Sequence, residues 1–259
     1  MNPDSSRLRR ALPVLALVAA SLGAAMTSAD ASGTAVSCAH PRFVTTDPNG
    51  MWFDGRYVVH NNMWNASPYQ VSERLRACSH ANWSVRATAN NSSGDGAVKT
   101  YPNVHRDYHN WSTGREPKLS SFRTIRSSFA ARTPHVGIYD AAYDIWLNGV
   151  PGNREIMIWT ENYHQTPAGS LVKRGLTFAH RTWRIYASDG NSIISFLPNK
   201  PFTHGTIGIK DRLTWLVHHG LVQRGSTVGQ VCFGFEIVST NGSPARFKVD
   251  RFSISSSRR

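Results

Sequence analysis

The chain has 259 residues, with 29 Lys or Arg against 16 Asp or Glu and a formal net charge of +13 at pH 7. This length suffices for one sizeable hydrophobic core, and neither internal repeats nor a long linker divide it. The basic residues are scattered along the sequence, without dense runs that interleave with aromatic residues. The charge therefore does not identify a substrate, and a nucleic-acid partner is not predicted.

Residues 1–31 are predicted to be a signal peptide. Three arginines at positions 7–10 precede an apolar stretch at 11–26, and Ala29-Asp30-Ala31 fits a cleavage site of small residues. The stretch is short and rich in Ala, so an uncleaved membrane anchor is only the alternative. We expect a secreted protein in which residues 32–259 form one domain, with the export route (Sec or twin-arginine) left open.

Short strand-like runs separated by Gly, Asn, Pro and Ser follow. The predicted strands are 57–61, 83–89, 97–100, 136–147, 155–159, 176–178, 182–187, 193–196, 230–238 and 245–254. Apolar residues with helical spacing predict one helix from Ile209 to His219, which Gly220 ends. Residues 105–132 are predicted to be a long polar connection. Ten strands against one helix predict an all-β sandwich or barrel.

Three cysteines in an exported chain predict one disulfide and one free thiol. Cys38 and Cys78 lie in polar, loop-like surroundings near the mature N-terminus, whereas Cys232 lies in an apolar strand. We therefore expect Cys38 and Cys78 to pair and Cys232 to be free and buried.

Two of the five glutamates lie inside apolar strands, where a carboxylate is unfavourable unless it is paired or placed at a working surface. Alternation of side chains puts Glu155, Met157 and Trp159 on one face of their strand. In the second strand, Glu236 and Cys232 lie opposite a strongly apolar face. Each glutamate should therefore point away from the core.

A third strand repeats this pattern, since Asp144 and Trp146 share one face. Six residues, 148–153, separate this strand from the next and predict a hairpin, so Asp144 should lie near Glu155. Asp140 shares the parity of Asp144 and is a weaker candidate for the same surface. Carboxylates and tryptophans on one face predict an open groove, and two glutamates across such a groove are the apparatus of glycoside hydrolysis. The alternative is that each glutamate is an ordinary exposed strand residue.

Other polar residues are not expected to carry chemistry. His105 and His109 are spaced for a metal site but lie outside any helical pattern, so we expect exposed loop histidines and no metal. Glu116 and Glu161 are expected to be solvated loop residues.

Ordered motifs across residues 52–255 resemble glycoside hydrolase family 12, the small β-jelly-roll endoglucanases and xyloglucanases. The motifs are Asn61-Asn62-Met63-Trp64, Val98-Lys99-Thr100-Tyr101-Pro102-Asn103, Tyr143-Asp144-Ile145-Trp146, Glu155-Ile156-Met157-Ile158-Trp159 and Gly234-Phe235-Glu236. The resemblance implies a two-sheet antiparallel jelly roll with an open cleft on the concave sheet. It also implies hydrolysis of internal β-1,4-glucosidic bonds with retention, in cellulose, mixed-linkage glucan or xyloglucan.

Carried over by residue, the resemblance implies that Glu155 is the nucleophile, Glu236 the acid/base and Asp144 the residue that orients Glu155. The sugar subsites would be lined by Asn62, Trp64, Met157, Trp159 and, from its shared face, Trp146. No metal or organic cofactor is needed, and a monomer is expected. Residues 71–81 depart from the family pattern near the cleft and leave the preferred glucan open. A carbohydrate-binding protein of the same fold without activity is the alternative function, and a polysaccharide lyase is a third.

Overall fold

The computed structural model describes residues 38–259, so the predicted signal peptide at 1–31 lies outside the described residues. The described strands are β1 Phe43–Thr45, β2 Met51–Asp54, β3 Tyr57–His60, β4 Ser72–Ser79, β5 Asn82–Thr88, β6 Asn103–Asp107, β7 Phe122–Arg132, β8 Ile138–Gly149, β9 Gly152–Tyr163, β10 Ser170–Phe178, β11 Arg181–Ala187, β12 Ile193–Pro198, β13 His204–Gly208, β14 Val228–Ser239 and β15 Ala245–Arg258. The helix α1 spans Ile209–His218, and two short 3-10 helices span Leu119–Ser121 and Asp189–Asn191.

The strands form two sheets. The six-stranded sheet has the order β1-β4-β5-β15-β7-β13, and the nine-stranded sheet has the order β10-β11-β12-β9-β8-β14-β6-β3-β2. All pairs are antiparallel except β12 and β9, which run parallel. The two-sheet jelly roll is therefore confirmed, and the central strands β9, β8 and β14 are those that carry the predicted carboxylates.

The core lies between the sheets and is rich in aromatic rings. Phe233 of β14 contacts Tyr143 of β8 and Phe129 of β7, with ring centroids 4.8 and 4.9 Å apart. Phe252 of β15 stacks on Phe233 from the opposite sheet. Such pairs contribute roughly 0.5–1.5 kcal/mol each beyond the burial of their area. The packing fixes the inward face of β8 and β14, so the residues of opposite parity must face outward.

Helix α1 agrees with its predicted span. Ile209, Leu213 and Leu216 are fully buried, as the apolar spacing requires. Arg212 is also buried, and its guanidinium lies 4.5 Å from the centroid of the Trp183 ring while donating to the carbonyl of Gly208 at 3.0 Å. Among residues 38–259, no helix is long and apolar enough to cross a membrane.

Two predictions about the elements were wrong. Residues 105–132 are not one long connection, because they contain most of β6 and all of β7. In β7 the inward positions include Ser127, whose hydroxyl donates to the carbonyl of Ser253 at 2.8 Å and accepts from the hydroxyl of Tyr143 at 3.0 Å. This polar inward residue interrupts the apolar alternation that would have identified the strand. Residues 97–100 form no strand, and only Thr100 makes an isolated bridge, to Ile237.

The cysteine prediction is confirmed. Cys38 and Cys78 form a disulfide with their Cα atoms 5.7 Å apart, which ties the start of the described chain to β4. Cys232 is free and buried on β14, and its thiol donates to the side-chain oxygen of Gln230 at 3.0 Å.

Candidate active site

Strand register brings four carboxyl groups onto the outer face of the nine-stranded sheet. Trp146 of β8 lies opposite Glu155 of β9, which places Asp144 one outward position away from that pair. Glu236 of β14 lies directly opposite Asp140 of β8. The carboxyls thus form a diagonal row in the order Glu155, Asp144, Asp140, Glu236, which we call the carboxyl row.

The members of the carboxyl row differ in exposure. Asp140 is 0 % exposed and Asp144 is 6 % exposed, whereas Glu155 and Glu236 are half-buried. The two glutamates can therefore touch a bound ligand, while the two aspartates lie beneath the surface.

The environment of Glu155 favours its protonated form. Burial, and after it the negative charge of Glu236, raises the pKa of Glu155 from 4.5 to about 7. The pKa of Asp144 is also raised, well above its ordinary value, by burial and then by the negative charges of Glu155 and Glu236. The carboxyls of the row therefore influence one another's protonation, as groups that act together in acid–base chemistry do.

Glu236 and Asp140 form a closer pair. Burial, the charge of Glu236 and a hydrogen bond with Glu236 raise the pKa of Asp140 well above its ordinary value. Burial also raises the pKa of Glu236, while the hydrogen bond with Asp140 opposes that rise. No donor among the described residues bonds to the oxygens of Asp140, so Glu236 is the group that they face. A hydrogen bond between two carboxyl groups requires that one of them is protonated.

Close packing requires a glycine at the first position of the Gly-Phe-Glu motif. A Cβ at Gly234 would lie 2.2 Å from the carbonyl oxygen of Pro102 and 2.7 Å from the Cβ of Asn103. A larger residue would therefore push β6 away from β14 beside Glu236.

Met157 and Trp159 form the floor beside Glu155. They pack with Ala142 and Leu197 into a small apolar cluster on the outer face. Met157 is 5 % exposed and Trp159 is 1 % exposed, so Trp159 offers no open ring face for a sugar in this conformation. Trp146 is half-buried beside Glu155 and is better placed for contact with a ligand.

Asn62 and Trp64 lie in the loop after β3, next to the segment that bridges Ile237. Asn62 adopts a left-handed conformation with φ 42°, which Asn tolerates better than most residues. Its carbonyl accepts hydrogen bonds from the Tyr101 amide at 3.0 Å and the Thr100 hydroxyl at 3.3 Å. This anchoring holds the indole of Trp64, which is 61 % exposed, at the Glu236 end of the sheet.

A group of polar side chains on β6 and β14 was not predicted from the sequence. Asp107 accepts from the side-chain amide of Gln230 at 2.6 Å and from the indole of Trp111 at 2.8 Å. Gln230 lies opposite Trp146, which in turn lies opposite Glu155. Through these contacts Trp111 lies at the Glu155 end of the carboxyl row, whereas Trp64 lies at the Glu236 end. The side chain of Trp111 is 63 % exposed. The only available signal was the alternation of Asn103, His105 and Asp107, which the predicted connection obscured.

The predictions for the histidines and the remaining glutamates need correction. His105 is buried on β6, with Nδ1 2.9 Å from Oδ1 of Asn103. Glu116 is not solvated, because it accepts from the Gly149 amide at 3.2 Å and pairs with Nδ1 of His109 at 2.7 Å. Glu161 lies within β9 and is 7 % exposed; its donors are the hydroxyls of Thr133 and Tyr139 and the ring of His135. Within residues 38–259 no group of three His, Cys, Asp or Glu is arranged to hold a metal.

The chain is similar to several curated enzymes over most of its length. It is 23% identical to endoglucanase S of Pectobacterium parmentieri over 223 residues, which are 76% of this chain and 82% of that protein. It is 26% identical to a probable xyloglucan-specific endo-beta-1,4-glucanase A of Aspergillus fumigatus over 225 residues, covering 81% of this chain and 90% of that protein.

The fold is similar to solved structures as well. The xyloglucanase domain of NopAA from Sinorhizobium fredii superposes with a TM-score of 0.72 at 27% identity, covering 84% of this chain and 100% of that domain. Endoglucanase cel12A from Rhodothermus marinus gives a TM-score of 0.73 at 22% identity, covering 84% and 100%. The sequence model of glycosyl hydrolase family 12 matches residues 55–257. The chain therefore belongs to glycosyl hydrolase family 12 and is a glycoside hydrolase of the cellulase type.

Proposed function

We propose that this protein is a secreted endo-β-1,4-glucanase that cleaves internal bonds of a β-glucan with retention of configuration, without a cofactor. The observation that carries the proposal is the carboxyl row, in which two half-exposed glutamates stand on either side of two buried aspartates. The endoglucanase and xyloglucanase relatives support a β-glucan as the substrate. Residues 32–259 would act as one catalytic domain and as a monomer.

In the proposed mechanism, ionised Glu155 attacks the anomeric carbon while the bond to the leaving oxygen breaks. Glu236 gives its proton to that oxygen, so the departing chain leaves as a neutral alcohol. In the second step Glu236 takes a proton from water, and the resulting hydroxide displaces Glu155 from the anomeric carbon. Two displacements on the same carbon restore the original configuration.

The buried aspartates would support the two glutamates in different ways. Asp144 would orient Glu155 from one outward position along β8. Asp140 would share a proton with Glu236 and so keep an acid available beside the leaving group.

The proposed binding groups extend to both ends of the carboxyl row. Trp64 and Asn62 would hold sugars at the Glu236 end, and Trp146 would contact the sugar next to Glu155. Met157 and Trp159 would support this surface from below, because they are buried in its floor. Xyloglucan, mixed-linkage glucan and cellulose all remain candidate substrates.

Hydrolysis is tested by release of reducing ends from carboxymethylcellulose, mixed-linkage β-glucan and xyloglucan. We expect the wild type to cleave at least one polymer, and Glu155→Gln and Glu236→Gln each to lose at least about a hundredfold, the lower end of what general acid–base groups contribute. Binding without cleavage by the wild type would support the inactive carbohydrate-binding protein. Cleavage that survives Glu155→Gln would refute the role of the nucleophile.

Retention is tested separately, by proton NMR of the first products. A retaining enzyme releases the β-anomer first, whereas early accumulation of the α-anomer would show inversion. Export is tested by N-terminal sequencing of the protein from the culture medium, where we expect the chain to begin at Ser32. A cell-bound chain that keeps residues 1–31 would contradict export by a cleaved signal.

A further inference from the structure

A basic groove lies on the outer face of the six-stranded sheet, across the core from the carboxyl row. It has a volume of about 950 Å3 and is bordered by the Cys38 end of the described chain. We call it the arginine groove, and its basic side chains are Arg74, Arg76, Arg86, Arg132, Arg246 and Lys248. The proposed hydrolysis uses none of them.

Strand register turns these scattered residues into two ordered rows. Arg74 of β4 lies opposite Arg86 of β5, which lies opposite Arg246 of β15. Neighbouring strands are about 4.8 Å apart, so the three arginines follow each other across the sheet at about that step. The second row lies two residues along each strand and contains Arg76 and Lys248, and Lys248 lies opposite Arg132 of β7.

The positive charge of the groove is only partly neutralised. Asp250 pairs with Lys248 at 2.6 Å and receives two hydrogen bonds from Arg132, at 2.6 and 2.8 Å. Arg74, Arg76 and Arg86 have no ion pair with a carboxylate among residues 38–259, and all three remain at least partly exposed. Like charges directly opposite each other on paired strands are destabilising, so the first row is unfavourable unless an anion occupies it.

The geometry suits carboxylates on an extended polymer. Guanidinium groups bind carboxylates through two parallel hydrogen bonds, and the contact of Arg132 with Asp250 already shows this form at the edge of the groove. The step between arginines is close to the length of one sugar unit in an extended polysaccharide. None of the described residues that line the groove is aromatic, so they provide no stacking platform of the kind that binders of single-stranded nucleic acid use.

We propose that the arginine groove is a second binding site that takes a uronate polymer, an acidic polysaccharide with one carboxylate on each sugar. The cleaved glucan is neutral and binds at the carboxyl row, so the two ligands do not compete. The groove would hold the enzyme on an acidic polymer while the other side of the molecule remains open to its substrate. This inference does not depend on which glucan is cleaved.

The probe for the test is polygalacturonate, with binding measured by calorimetry and by affinity electrophoresis. The groove variant carries three substitutions, Arg74→Gln, Arg86→Gln and Arg246→Gln. A control variant with the same loss of charge carries three substitutions in exposed loops, Arg115→Gln, Lys200→Gln and Arg224→Gln. We expect the groove variant to bind at least tenfold more weakly than the wild type, and the control variant to differ by less than twofold. Binding of the wild type should also weaken with added salt and vanish for the fully methyl-esterified polymer.

Three results would overturn the proposal. The first is that the wild type does not bind polygalacturonate. The second is that both variants lose affinity equally, which would show that net charge alone is responsible for binding. Tighter binding of a DNA duplex than of polygalacturonate at the same ionic strength would make nucleic acid the partner. Thermal unfolding of both variants shows that they are folded. Cleavage of neutral glucan by the groove variant is a separate readout, so failure of the binding site and failure of the proposed hydrolysis are distinguishable.

Discussion

Glu236→Gln is expected to shift the pH dependence that Glu155 imposes on the reaction. The pKa of Glu155 rises from 4.5 to about 7, a difference of about 2.5, with burial as the larger cause and the charge of Glu236 as the smaller. Because the smaller of two causes supplies less than half of the rise, removing the charge should lower the pKa of Glu155 by up to about one unit, or about 1.4 kcal/mol. A carboxylate nucleophile must be ionised, so the acid limb of the activity should move to lower pH.

The assay uses an aryl β-cellobioside with a dinitrophenolate leaving group, which departs without a proton and so keeps the variant active in the first step. The pH profile of kcat/KM then reports groups of the free enzyme. We expect the acid limb of the wild type near pH 7 and that of Glu236→Gln at a lower pH. Glu161→Gln, the same change on the inward side of β9, serves as the control and should leave the limb in place.

An unchanged limb in Glu236→Gln would refute the reasoning. It would mean that Glu236 is still protonated when Glu155 ionises and therefore has no charge to exert. A lower limb would show that Glu236 ionises first in the free enzyme. The catalytic proton would then be kept in the pair with Asp140, and the form ready for reaction would be a minor one.

Three further predictions concern single side chains. Asp140→Ala should move the alkaline limb of mixed-linkage glucan hydrolysis to higher pH, because the hydrogen bond with Asp140 opposes the rise that burial gives the pKa of Glu236; an unmoved limb would argue against that hydrogen bond. Trp111→Ala should raise KM for long oligosaccharides about tenfold, which is about 1.4 kcal/mol, and leave kcat unchanged; equal loss on short and long substrates would exclude a remote subsite. Burial raises the pKa of Glu73 from 4.5 to about 8, so the stability it supplies is full below pH 4.5 and lost as the pH rises through 8. At pH 9 the free energy of unfolding of Glu73→Gln should therefore exceed that of the wild type by an amount on the order of a few kcal/mol, with a higher unfolding temperature, whereas at pH 5 the two should be similar; circular dichroism measures both, and equal melting at pH 9 would contradict the assignment.

The positions of Glu155, Asp144 and Glu236 could be predicted because their strands are strongly apolar on the other face. Alternation then sets the outward side without any knowledge of the partner strand. The contact of Asp140 with Glu236 could not be predicted in this way. It depends on β14 pairing with β8 in one register, and the two strands are far apart in the sequence. Parity placed Asp140 on the right face but could not say which side chain stands opposite it.

The burial of Trp159 could not be predicted from the sequence either. Its outward parity is correct, yet Leu197 of β12 packs beside it and closes the cluster. That contact depends on the parallel pairing of β12 with β9, the one exception to the antiparallel pattern. An outward position in a strand is therefore an exposed position only when the neighbouring strands carry small or polar residues.

The arginine groove could not be predicted because its basic residues are scattered in the sequence. Its charges sit two residues apart on β4 and on β15, while β5 contributes Arg86 alone, so no segment of the sequence forms a basic run. The order β4-β5-β15 is what gathers them, and it joins strands from opposite ends of the chain. Scattered charge in a β-protein is thus compatible with a dense basic surface, because a sheet places side by side what the sequence separates. Part of the high net charge is thus concentrated at one place on the molecule, and polygalacturonate binding tests whether that place has a ligand.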